Sequence, residues 1–144
     1  VILRRVSKLP LLAFFVSLAL ILVSPWLPDR VHAQDTAGPG FATLRSADLA
    51  AMLARKDFLL VNVHVPYEGE IEQTDAFIAF DKIAETAKAL PDNKDARIVL
   101  YCLSGRMSEI AANELTRLGY RRVAHLAGGM RDWQATGFRI IEKK

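Results

Sequence analysis

The chain's single cysteine, Cys102, follows an apolar, β-branched stretch, Arg97-Ile98-Val99-Leu100-Tyr101, that reads as a buried strand. It precedes the short loop Leu103-Ser104-Gly105-Arg106-Met107, and Ser108 to Leu118 then predicts a helix closed by Gly119 at C′. This order of strand, cysteine, glycine- and arginine-bearing loop, and helix suits a nucleophile. The amides of such a loop, with the free N–H groups at a helix start, make a concave anion site. The same field, with Arg106 close by, favours thiolate over thiol. Gly105 lets the loop turn without a Cβ clash, and Ser104 and Ser108 supply further donors. The opposing reading is a buried structural cysteine at a strand end.

Cys102-Leu103-Ser104-Gly105-Arg106-Met107-Ser108 resembles the active-site loop of the rhodanese family, the persulfide-forming sulfurtransferases. Leu126-Ala127-Gly128-Gly129-Met130-Arg131-Asp132-Trp133, followed by Gly137, resembles that family's C-terminal signature. A weaker match is Leu59-Leu60-Val61-Asn62-Val63-His64, then Pro66, Glu68 and Ile71, which resembles the early strand and acidic loop. Together these span about Phe41 to Ile140. The chain departs from the family pattern at Asn62 and His64, where Asp and Arg are common, and the segment from Glu68 to Ile71 is shorter.

The resemblance implies a catalytic Cys102 that takes a sulfane sulfur from an anionic donor such as thiosulfate. A thiophilic acceptor (a small thiol, cyanide or a protein thiol) then removes it. The cradle would be the amides of Leu103, Ser104, Gly105, Arg106 and Met107, with the Arg106 cation beside them. No cofactor is implied. The alternative is a non-catalytic interaction module on the same fold, motivated by Asn62 and His64. A cysteine phosphatase also uses a thiolate in an amide cradle, but its Cys-x5-Arg motif needs arginine where Ser108 stands.

The other candidates have plainer readings. His64 and His125 follow strand-like residues, and a thiolate held by amides needs no base. Ser108 reads as a residue of the helix start rather than an acid, and Arg106 has the competing reading of a solvated charge. Trp133 reads as packing beside a glycine turn. No His, Cys, Asp and Glu cluster has ligand spacing, so no metal site is expected.

The chain has 144 residues and suits one ordinary domain. Arg4, Arg5 and Lys8 precede an apolar run from Leu9 to Val23, and Val31-His32-Ala33 offers a cleavage site. Residues 1–33 therefore read as a signal peptide, or as a retained anchor, since Leu9 to Pro28 is uncharged and about long enough to span a bilayer. Both place the domain outside the membrane, periplasmic or anchored. Residues 34–40 read as a linker and 41–144 as the domain. The net charge of +3 comes from the leader, leaving 15 basic and 15 acidic residues beyond it. That balance gives no electrostatic case for nucleic acid. One cysteine allows no internal disulfide, so packing must hold the domain.

Ser46 predicts an N-cap for a helix through Leu49, Met52 and Leu53. Strands are expected over Phe58 to Val63, at a short edge from Ala76 to Phe80, and over Arg122 to His125. Glu68 to Asp75 reads as an irregular acidic loop. Asp81 predicts the cap of a helix through Ile83, Ala87 and Leu90, and Met130 to Ala135 a short helix. This alternation predicts an α/β fold: a mainly parallel central sheet with helices on both faces. In such sheets ligands bind beyond the carboxyl ends of the strands, where Cys102 falls.

Overall fold

The computed structural model describes residues 40–142, so the segment read as leader and nearly all of the linker lie outside the described residues. In chain order the elements are β1 (Ala42–Leu44), α1 (Ser46–Leu53), β2 (Leu59–Asn62), β3 (Glu70–Ile71) and β4 (Ala76–Phe77). Then come β5 (Arg97–Tyr101), α2 (Arg106–Arg117), β6 (Arg122–Leu126), α3 (Gly129–Ala135) and β7 (Ile140–Ile141). Five strands form one parallel sheet in the order β1-β6-β5-β2-β4. β3 and β7 pair antiparallel beside it. No helix among the described residues is long and apolar enough to cross a membrane.

Successive side chains of a strand point to opposite faces, and β5 shows this directly. Ile98 and Leu100 join the α2-side core with Ala111, Ala112 and Leu115. Val99 and Tyr101 join the opposite core with Leu49 of α1 and Met130 and Trp133 of α3. Both faces of the central strand are therefore covered, which is why it reads as a continuous apolar run. Leu49, Leu60, Ile98, Leu100 and Leu115 have no exposed surface. Each such burial contributes about 1.5–3 kcal/mol.

Several boundaries differ from the sequence reading. Helix α2 starts at Arg106, two residues before Ser108, because Gly105 takes the N-cap with φ +94°. The loop is thus Leu103 to Gly105, and Arg106 and Met107 belong to the first helical turn. The N-cap of α1 is Arg45, not Ser46; the Asp48 carboxylate accepts from its N–H at 3.2 Å. The helix expected from Asp81 is instead two short 3-10 turns, Phe80–Lys82 and Ala87–Ala89. A short helix is costly to nucleate, and this segment places Ile83 and Leu90 into the core without a continuous helix. The edge strand ends at Phe77, three residues short of Phe80. Gly119 does close α2, with φ +89°.

Candidate active site

Strand β5 carries Cys102 to the carboxyl edge of the sheet. The chain then turns sharply enough for the Gly105 N–H to donate to Cys102 Sγ at 3.1 Å. Two features make glycine necessary there. Its φ lies in the left-handed region, and a Cβ would stand 1.7 Å from the Ala127 carbonyl oxygen. The Gly105 carbonyl is held as well, accepting from Ser108 Oγ at 2.8 Å and from the Glu109 N–H at 3.0 Å. The amide facing the sulfur is therefore fixed from both sides.

The Gly-Gly turn explains itself at the same place. The Met130 N–H donates to the Cys102 carbonyl at 2.9 Å, and the Arg131 N–H to the Leu103 carbonyl at 3.0 Å. This approach is possible because Gly129, at φ +59°, has no side chain; a Cβ would lie 2.4 Å from the Cys102 carbonyl oxygen. The C-terminal signature is thus a backbone clamp on the cysteine loop. Trp133 packs in the core, stacked on Phe138 with centroids 4.4 Å apart and its Nε1 donating to the Arg139 carbonyl at 3.0 Å.

Beside the loop lies an open cleft of about 400 Å³, lined by Thr43, Ser104, Gly105, Arg106, Glu109, His125 and Ala127. Cys102 itself is only 1% exposed and sits beneath the loop. A line of polar atoms leads from the sulfur to the cleft. Ser108 Oγ is 3.8 Å from Sγ, His125 Nδ1 is 3.2 Å from that hydroxyl, and His125 Nε2 is 3.5 Å from Thr43 Oγ1. Burial pushes the His125 pKa below the ordinary histidine value; the Glu109 carboxylate and the Gly105 carbonyl oppose that shift.

The predicted site residues divide into two groups. Ser104, Gly105 and Arg106 line the cleft. Arg106 is exposed and has no ion pair with any described residue, which leaves its charge available. Leu103 and Met107 turn their side chains to the two cores, on opposite faces of the sheet. They anchor the loop's ends, so only their backbone can serve an anion. Thr43, Glu109, His125 and Ala127 join the cleft without having been singled out as binding residues. Strand pairing is what brings Thr43 beside His125, and no local spacing reveals that.

The two residues that depart from the family pattern, Asn62 and His64, are buried and bond within their own segment. Asn62 Nδ2 donates to the Gly69 carbonyl, and the His64 N–H donates to Asn62 Oδ1, both at 3.0 Å. His64 Nε2 faces Glu68 Oε2 at 3.0 Å, while its Nδ1 is buried without a hydrogen-bond partner.

The profile of the rhodanese-like domain family matches residues 46–136. The chain belongs to that family. Among curated proteins it is similar to tRNA uridine(34) hydroxylase of Salmonella arizonae, with 25% identity covering 71% of this chain and 33% of that protein. The enzyme of the same name from Photorhabdus laumondii is 30% identical, covering 60% and 26%. The chain thus spans about a third or less of these relatives' length. The crystal structure of a rhodanese-related protein from Thermoplasma volcanium superposes with a TM-score of 0.61 and 24% identity, covering 71% of this chain and 99% of that one.

Proposed function

We propose that the protein is a sulfurtransferase in which Cys102 carries a sulfane sulfur from an anionic donor such as thiosulfate to a thiophilic acceptor. The observation that carries this reading is the Gly105 N–H held on Sγ at 3.1 Å, next to the exposed Arg106, which has no ion pair among the described residues. The Cys102 thiolate attacks the outer sulfur of thiosulfate; a sulfur–sulfur bond forms on Cys102 as the donor's own breaks, and sulfite leaves with that bond's electron pair. The persulfide anion is then attacked at its outer sulfur by cyanide, a small thiol or a protein thiol, which regenerates the thiolate. Negative charge persists at the loop throughout, so fixed amide donors and a nearby cation are the groups the chemistry needs. The leader's pattern supports an exported domain, periplasmic or anchored.

Intact-mass measurement after incubation with thiosulfate tests the proposal. One added sulfur is expected on the wild type and none on Cys102→Ala, with removal by cyanide as thiocyanate. A wild-type protein that stays unmodified across thiosulfate, polysulfide and glutathione persulfide would defeat it, leaving the non-catalytic module. The relatives' name suggests tRNA as a partner, but the even charge balance beyond residue 33 lends that no electrostatic support. Asn62 and His64, which motivate a non-catalytic module, are accounted for by bonds that shape their own loop.

A further inference from the structure

We propose that His125, acting through Ser108, takes the proton of the Cys102 thiol and delivers it to the cleft. The inference rests on Cys102 being the nucleophile, and it concerns how the thiolate arises rather than which sulfur donor it meets.

The thiol is only 1% exposed, so little of it meets bulk water. Besides the Gly105 amide, a line of polar side chains leads from the thiol to the cleft. The Cys102 sulfur lies 3.8 Å from Ser108 Oγ, and that hydroxyl has two acceptors within reach: the Gly105 carbonyl at 2.8 Å and His125 Nδ1 at 3.2 Å. A hydroxyl carries one proton. At rest it serves Gly105; turned about the Cβ–Oγ bond it serves His125. The turn leaves the Gly105 carbonyl satisfied, because the Glu109 N–H still donates to it at 3.0 Å. Ser108 is fully buried, so water does not compete for either position.

The step balances atom by atom. The S–H bond of Cys102 breaks and its proton joins Ser108 Oγ, while the Ser108 proton passes to His125 Nδ1. The products are a thiolate and an imidazolium. The imidazolium then sheds the proton on Nε2, which faces Thr43 Oγ1 and the cleft, to water.

The surroundings of His125 suit an acceptor. Burial favours the neutral ring, which can accept a proton. Glu109 from α2 lines the same cleft and supports the transient cation; Arg106, also from α2, opposes it. Thr43 of β1 faces Nε2, and the Phe41 ring stands edge-on at 5.3 Å, fixing the imidazole plane. Ser108 and His125 are thus positioning residues for one proton, and neither needs to touch the sulfur donor.

Two measurements on the full chain test this without any sulfur donor, so they stand or fall apart from the persulfide assay. In the first, alkylation of Cys102 by iodoacetamide is followed from pH 5 to 9. His125→Gln and Ser108→Ala should each slow it at pH 6.5 by on the order of tenfold, and converge on the wild-type rate at the alkaline end. Imidazole added to His125→Ala should restore part of the rate. In the second, the imidazole resonances of His125 are titrated in the wild type and in Cys102→Ala. The thiolate's charge favours the imidazolium and the imidazolium favours the thiolate, so the His125 midpoint should fall when Cys102 is replaced. An identical midpoint in the two proteins overturns the proposal, even where the His125 variants fold poorly. So does an unchanged alkylation profile in a folded His125→Gln.

Discussion

Gly129 approaches Cys102 so closely that a methyl group on its α-carbon would stand 2.4 Å from the cysteine's carbonyl oxygen. The contact is backbone to backbone, so no rotamer change relieves it. It also allows α3 to donate two hydrogen bonds to the cysteine loop.

Gly129→Ala should therefore cost about 3 kcal/mol or more, through both the clash and the left-handed φ. It should reduce persulfide formation with Cys102 still present. Gly119→Ala is the control. That glycine has a similar left-handed φ of +89° but nothing within 4 Å of its would-be Cβ. Its loss should cost about 1–2 kcal/mol and leave the adduct unchanged. Thermal melts and intact mass of the two variants make the comparison.

Arg106 is expected to bind the donor. Arg106→Ala should raise the thiosulfate KM by about tenfold to a hundredfold, the worth of a charge-assisted hydrogen bond of about 1.5–3 kcal/mol. Reaction with a neutral alkylating agent should change less. Lysine should rescue in part, since it keeps the charge and loses the planar fork. Unaltered thiosulfate kinetics would make Arg106 a surface charge.

Asn62→Asp would install a residue common in the family, yet it should destabilise this chain by about 2 kcal/mol or more. The fully buried Asn62 amide donates to the Gly69 carbonyl, and a carboxylate there faces an acceptor with no proton to offer. The acid's folded pKa is thereby raised, so the penalty is present at neutral pH, shrinks as pH falls through that raised value, where the carboxyl regains a donor, and is gone below the ordinary value of about 4. Denaturant unfolding at two pH values reads this out. A variant as stable as wild type at pH 7 would contradict it.

The Tyr101 hydroxyl accepts from the Ile71 N–H at 3.0 Å and meets Thr74 Oγ1 at 2.7 Å, tying β5 to β3 and the turn that follows it. Tyr101→Phe leaves that amide unpaired and should cost about 1–3 kcal/mol. Burial raises the phenol's pKa. Folded stability from this group is then complete below the ordinary tyrosine pKa of about 10 and declines above it, as the unfolded chain ionises first. The phenylalanine variant should lose that alkaline slope, which unfolding curves between pH 9 and 11 would show.

The features legible in the sequence are those written in contiguous residues. β5, the cysteine turn, α2 with its Gly119 end, and the Gly-Gly helix each have a local signal. The α-helix expected from Asp81 did not form because its apolar spacing is satisfied by two separate turns that bury Ile83 and Leu90. β3 and β7 are two residues each, too short for any periodicity, and are paired across the chain. The place of His125 in the cleft is hidden for a related reason. One histidine in a strand carries no spacing to read, and its neighbours Thr43 and Ser108 arrive from β1 and α2.

The clamp from α3 also has a consequence in time. A nascent chain emerges N-terminus first, so the thiol is made before the turn that holds its loop. Until Gly129, Met130 and Arg131 follow, the Cys102 and Leu103 carbonyls lack their donors. β6 must likewise emerge before β1 has a partner. The hydrogen-bonded form of the cysteine loop is therefore a late acquisition in the life of each molecule, completed only when α3 has been made.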